Sequence, residues 1–233
     1  MKNIIALVVI LGGLLVVGYY FYTKEEVKVT VTPALVTQIE ENAAMMSFFI
    51  TSSNPGKGGN LGGLAGADAY CSLLAEKSGV TGKTWKAYLS TTGKEGKNAR
   101  DRIGAGPWHN AKGELVASSL GDLHGKNFLT KATALDENGK QVQGRGDTPN
   151  MHDILTGSLA DGTASTTAVT DTTCANWTSS TVGSALVGHH DRVGINDSAA
   201  MQSWNSSHGT RGCDMASLKG TGGSGLFYCF AQE

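Results

Sequence analysis

The stretch VGHHDRVGINDSAAMQSWNSSHGTRGC, Val187 to Cys213, holds three of the chain's six histidines, one of its four tryptophans and one of its four cysteines. His189, His190 and Asp191 are the residue types of acid–base or metal chemistry: an imidazole takes a proton or ligates an ion, and a carboxylate orients it. His208 would complete a trio for a metal-assisted hydrolase built on His189, His190 and His208. Against that, neighbouring residues on a strand point to opposite faces, so His189 and His190 do not readily share one ion. The chain also has no G-x-S-x-G, no H-E-x-x-H and no catalytic-cysteine signature. No catalytic residue is assigned, and an enzyme is the secondary expectation.

A second reading makes the stretch a ligand-binding rim formed by His190, Asp191, Arg192, Trp204, Asn205 and His208, since long loops on a rigid scaffold commonly carry recognition. A plainer reading spends the same groups inside the protein. Asp191 and Arg192 would pair, a histidine would satisfy buried backbone groups, and Trp177 and Trp204 would pack beneath the loop.

Cofactors are not expected. Calcium takes six to eight oxygens, and the stretch and its border offer only the carboxylates of Asp191, Asp197 and Asp214. Zinc lacks a recognisable ligand spacing. The glycine-dense GKGGNLGG places its lysine before the glycines, unlike a phosphate loop, and reads as a tight turn. With 19 basic and 20 acidic residues, the formal charge is −1. No basic run is interleaved with aromatics, which argues against nucleic acid as a partner. Asn176, Asn196 and Asn205 begin N-x-S/T triplets, which a Ser/Thr-rich chain contains by chance.

Such a loop needs a scaffold, and the start of the chain says where that scaffold resides. Ile4 to Tyr22 carries no charge, and as a helix would span roughly 28 Å, close to a bilayer core. Tyr19, Tyr20 and Tyr22 suit a membrane interface. Residues 1–23 are therefore expected to be a transmembrane signal anchor, with a cleaved signal peptide as the alternative. Residues 24–45 follow as a membrane-proximal stalk or edge strand, turning helical towards its end. All four cysteines lie beyond the anchor with no C-x-x-C spacing, which suits disulfides in a periplasmic or extracellular domain. From the residues alone, three pairings are open.

Residues 46–233 form one domain in this reading. The 32 glycines, few charges and short apolar runs suggest a loop-rich α+β fold with one main helix. LAGADAYCSLLAEKSG places Leu64, Ala67, Cys71 and Leu74 on one helical face, with Gly79 as the stop. MSFFITSS, KTWKAYLS, GELVAS, HDILTGS, CANWTSS, SALVGHH and GLFYCFA read as strands, NARDRIG and SLGDLHG as helical turns, and Asn138-Gly139 as a hairpin signal.

The ordered series from FFITSSNPGKGGNLGGLAGADAYCSLLAEKSG through WKAYLS, NARDRIG, LDENGKQV, HDILTGS, CANWTSS, SALVGHHDR, SWNSSHGTRGC and GLFYCFA resembles a bacterial domain family of uncharacterised function with an endostatin-like, C-type-lectin-like fold. The resemblance spans nearly all of residues 46–233. It implies a mixed, mainly antiparallel sheet with long loops, and nested disulfides Cys71–Cys229 and Cys174–Cys213. Calcium-dependent sugar binding does not carry over, because Trp204-Asn205-Ser206 lacks the second acid and no Pro-containing ligand triplet is present. Endostatin's arginine cluster and N-terminal zinc histidines are absent too. The expectation is a membrane-anchored binding or adhesion module for a glycan, an envelope component or a protein, with a passive envelope-structural protein as a further alternative beside the metal-assisted hydrolase.

Overall fold

The structure, a computed structural model, describes residues 4–11, 14–21, 33–165 and 171–232, in two units, Met1–Val36 and Thr37–Glu233. In the first unit β1 (Ile4–Leu11) pairs antiparallel with β2 (Leu14–Phe21), Ile4 opposite Phe21 and Leu11 opposite Leu14. One continuous helix was the expectation here. Among the described residues no helix is long and apolar enough to cross a membrane. The segment is rich in Val and Ile, whose branched side chains favour strands when no lipid surrounds them. A lone strand pair leaves both outer edges unpaired, which hydrocarbon does not tolerate. An anchor therefore requires these residues to become helical in lipid. Of the expected stalk, residues 24–32, where the strand-like alternation falls, lie outside the described residues, and the remainder forms the helix α1 (Pro33–Met45), as the turn to helix towards the stalk's end suggested, with proline at its first position.

The second unit is α+β. Its elements are β3 (Phe48–Ile50), α2 (Gly63–Lys77), β4 (Thr84–Ala87), a 3-10 turn at Ala99–Asp101, β5 (Trp108–His109), β6 (Leu115–Ala117), α3 (Leu120–His124), β7 (Asp153–Leu155), α4 (Cys174–Trp177), β8 (Leu186–His189), β9 (His208–Gly209), α5 (Met215–Lys219) and β10 (Gly223–Gln232). β10 organises them. On one edge Tyr228–Phe230 pairs antiparallel with β3. On the other edge, β7 runs parallel to the first half of β10 and β4 antiparallel to the second half. β8 and β9 extend the sheet beyond β7, both antiparallel, while β5 and β6 form a separate hairpin.

The apolar run GLFYCFA follows from this position. Phe227, Cys229 and Ala231 enter one core with Trp85, Trp177 and the buried face of α2. Leu226, Tyr228 and Phe230 enter a second core with Tyr88, Trp108 and Trp204. Side chains alternate along a strand, so a strand buried on both faces must be apolar throughout. Ala67, Cys71 and Leu74 of α2 are buried as the helical spacing predicts, and Gly79 takes φ +90° just past the helix end.

The cysteines pair as the resemblance implies. Cys71–Cys229 ties α2 to β10 across 158 residues, and Cys174–Cys213 closes a 39-residue loop. Chain entropy assigns these crosslinks roughly 5 and 4 kcal/mol as upper estimates. Two such bonds suit an oxidising compartment outside the cytoplasm.

CANWTSS departs from the expected strand. Cys174, Ala175, Asn176 and Trp177 have φ of 48°, 52°, 55° and 67°, a turn of left-handed helix made without glycine. Each such residue costs roughly 1–2 kcal/mol. The turn is held by the Cys174–Cys213 bond, by Asp171 and Thr173 side chains accepting the Ala175 and Asn176 amides, and by Trp177 Nε1 donating to the Ser90 carbonyl at 2.8 Å. Local pattern does not reveal a conformation imposed by crosslinking and burial.

Two outcomes are expected. Circular dichroism of a residue 1–24 peptide should show helix in phospholipid vesicles; a strand spectrum there would remove the anchor. Ala175→Gly, at an exposed position, should stabilise the domain by about 1 kcal/mol. That raises the melting midpoint by about 2–4 °C in a domain of this size.

Candidate functional site

β8 ends at His189, and the strand's alternation sends His189 and His190 to opposite sides. His190 is buried, with Nε2 at 3.2 Å from the Gln143 carbonyl; burial lowers its pKa and keeps the ring neutral. Asp191 accepts the Arg145 amide at 2.6 Å and the Val193 amide at 3.1 Å. Burial works to raise its pKa, but His152 and these two amides outweigh that and hold the carboxyl far below the usual range. Arg192 donates to the Leu129 and Gln202 carbonyls, so it ties loops together and makes no pair with Asp191.

Trp204 and Asn205 are also internal. Trp204 packs with Tyr88 and Tyr228, ring centroids 4.9 and 5.2 Å away. The Asn205 amide nitrogen donates to Tyr88 Oη, Leu159 O and Ala160 O at 3.0–3.2 Å. Gly188 admits this loop: a Cβ there would lie 1.8 Å from the Trp204 carbonyl oxygen. Of the six residues read as a binding rim, His208 lines a surface pocket together with His152 and His189.

His208 meets a group that the sequence reading did not assemble. Asp153 of β7 lies directly opposite His189 of β8, and Val187 lies opposite His208 of β9. Positions 187 and 189 share a face, so the register alone puts Asp153, His189 and His208 on one side of the sheet. His152, just ahead of β7, stacks on His189 with centroids 4.2 Å apart. Around Asp153 Oδ1 stand His152 Nε2 at 3.2 Å, His189 Nε2 at 3.3 Å and His208 Nε2 at 3.5 Å. His189 Nε2 and His208 Nε2 are 3.1 Å apart. None of the three imidazole contacts has hydrogen-bond geometry at the carboxylate, and both Asp153 oxygens are buried without a hydrogen-bond partner.

The outer nitrogens are all committed. His152 Nδ1 faces Val193 O at 3.1 Å, His189 Nδ1 faces Met201 O at 2.7 Å, and His208 Nδ1 faces Gly209 O at 3.2 Å. Asp191 Oδ1 adds a second acceptor 3.5 Å from His152 Nδ1. Contact with Asp153 raises the pKa of His208 against the opposing effect of burial. Burial would raise Asp153, yet its imidazole neighbours draw it below the ordinary carboxylate value. His152, Asp153 and His189 can offer one ligand atom each, all within 4.8 Å of one another, and could hold a cation.

Above this floor opens a pocket of about 290 Å³, walled by Arg145, Arg211, Ile195 and Met201. Both arginines are exposed, and among the described residues no carboxylate lines the pocket. Sequence reading missed His152 and Asp153 because HDILTGS was judged only as a strand. Its polar start and the histidines ending SALVGHH were the available signal, once the two runs are paired antiparallel.

Trp204 and Asn205 give a direct separation of packing from recognition. Trp204→Ala should cost about 3–5 kcal/mol of stability. Asn205→Ala should cost about 2 kcal/mol by stranding buried acceptors. Denaturant unfolding checks both, and a change below about 0.5 kcal/mol for either would return it to the rim. No protein-family model matches the chain and no curated protein is significantly similar to it, so its function is argued from the pocket, the buried Asp–His floor and the disulfide-braced sheet that holds them.

Proposed function

We propose that residues 46–233 form an extracytoplasmic binding module that holds an acidic group of an envelope glycan in the pocket above His208. In this reading the N-terminal apolar segment tethers the module to the membrane. The observation that carries it is the pair Arg145 and Arg211: two exposed arginines that line the same pocket, with no hydrogen bond or ion pair from either side chain among the described residues. Guanidinium forks match carboxylates and other oxyanions in shape and charge. Ile195 and Met201 supply the apolar surface that a sugar ring's C–H face can cover. The C-type-lectin-like resemblance and the two disulfides support a rigid scaffold displayed outside the cytoplasm.

A metal-assisted hydrolase is the second reading. The convergence of His189 and His208 on Asp153 favours it, but His190 faces Gln143, and His152 takes the third place.

The test is binding of the purified full chain in detergent to matched oligosaccharides with and without uronic acids. Uronic-acid ligands should bind in a salt-dependent manner, and Arg145→Ala with Arg211→Ala should weaken them tenfold or more, the loss of about 1.4 kcal/mol or more. Equal affinity for neutral and acidic sugars, or an unchanged affinity in the double variant, would refute the proposal.

A further inference from the structure

We infer that residues 194–200 form a lid over the pocket, and that Ile195 on this lid selects a ligand with an apolar face beside its acidic group. This selection rests on the glycan-binding reading above and adds a second requirement to the charge that Arg145 and Arg211 read.

The loop that carries the lid is closed at its neck. The His189 amide donates to Ser203 O at 2.8 Å and His189 O accepts the Arg192 amide at 3.0 Å, so both ends of the loop meet one residue of β8. Arg192 Nη1 adds a bond across the neck to Gln202 O at 3.1 Å. Below it, His152 Nδ1 faces Val193 O and His189 Nδ1 faces Met201 O. Asp191 accepts the Val193 amide on one oxygen and the Arg145 amide on the other, tying the foot of the loop to one of the two arginines. A Cβ at Gly194 would lie 2.4 Å from Met201 Cβ, so the two arms come this close only because residue 194 has none. A compact surface loop with its ends together is an Ω-loop, a type that often carries function.

Beyond the neck, nothing fastens the segment to the rest of the domain. Among the described residues the amides of Gly194, Ile195, Asn196, Asp197, Ala199 and Ala200 make no hydrogen bond, and the Ser198 amide turns back to Asn196 Oδ1. The remaining bonds of the segment run to Met201, Gln202 and Ser203, within the same loop. Residues 196–200 are exposed throughout. Exposed backbone without bonds opens locally at little cost, whereas the neck is bonded to β8 and opens only with the sheet. The boundary between held and free chain falls at Val193 and Met201.

What the lid brings to the pocket is apolar. Ile195 lines the pocket and is 75 % exposed, and Met201 lines it at the neck. A single exposed isoleucine is ordinary on a protein surface. This one lines the pocket that holds Arg145 and Arg211, on a segment with no bond to keep it where it is. A bare oxyanion satisfies the guanidiniums and offers Ile195 nothing. An acidic group joined to a sugar ring also offers a C–H face, and covering Ile195 with it removes apolar surface from water. A ligand shifts a loop only by binding one position better than another, so only a ligand with both features closes the lid. Guanidinium forks alone accept sulfate, phosphate and carboxylate alike, and the lid supplies the distinction they lack.

The experiment uses the full chain purified in detergent and compares a uronic-acid oligosaccharide with sodium sulfate, each near saturation. In the free chain the amides of residues 194–200 should exchange with deuterium almost as fast as those of an unstructured peptide. The oligosaccharide should slow them about tenfold or more, and sulfate should leave them within about twofold. These amides exchange without unfolding of the domain, so general stabilisation by a ligand does not slow them. Ile195→Ser should weaken the oligosaccharide about tenfold or more, leave sulfate within about twofold, and keep the salt dependence of the unaltered chain. Ile195→Val should retain most of the affinity. Near-UV circular dichroism establishes that both variants are folded, as substitution at an exposed position predicts. An oligosaccharide that binds without slowing residues 194–200, or binds Ile195→Ser as tightly as the unaltered chain, overturns the lid and leaves the arginine site standing. Equal slowing by sulfate overturns the selection. Failure of the oligosaccharide to bind at all refutes the glycan-binding reading itself, and the lid falls with it.

Discussion

The domain depends on one strand buried on both faces. β10 gives alternate side chains to two cores, accepts β3 on one edge and β4 with β7 on the other, and is crosslinked to α2 through Cys229. A strand with no solvent face tolerates no slip in register, because a one-residue shift would exchange the contents of the two cores. That rigidity passes outward through β7 to β8 and β9. The pocket floor lies on those three strands, so the placement of Asp153 against His189 is a consequence of how β10 is packed.

Much of this could be read from the chain. A continuous apolar run without alternation, GLFYCFA, signals a strand covered on both sides, and the 3, 4, 3 spacing of Leu64, Ala67, Cys71 and Leu74 signals the buried face of α2. Glycine stops and short apolar runs marked most of the remaining elements. Two features were not legible for physical reasons. The left-handed turn at Cys174–Trp177 violates the local preference of all four residues and exists because a disulfide, a buried indole and two side-chain caps hold it there. The Asp–His floor joins residues 152 and 153 to 189 and 208, and which residue faces which is a property of strand pairing, not of local spacing.

The loop from Val187 to Cys213 shows why residue type alone misleads about binding. It is long, polar and aromatic, the composition of a recognition surface. Yet Trp204 belongs to an aromatic core, Asn205 satisfies two carbonyls and a tyrosine hydroxyl, and Arg192 spends its guanidinium on two backbone carbonyls and the Asn127 side chain. A long loop folded back over a sheet buries backbone groups that no ladder can pair, and polar side chains must satisfy them. The more polar such a covered loop is, the more of its polarity is consumed internally.

The same accounting isolates the groups that are not consumed. Among the described residues of this region, both oxygens of the Asp153 carboxylate and Nδ1 of His190 are buried without a hydrogen-bond partner, while the outward nitrogens of His152, His189 and His208 are spent on carbonyls. On the pocket wall, the guanidiniums of Arg145 and Arg211 remain as well. Stability gives no reason to leave a carboxylate without a hydrogen bond at a buried point, since apolar residues of similar volume would pack there without an electrostatic cost. An arrangement that lowers stability in the free protein, on strands made rigid by the central core, is the kind that a bound ligand would account for.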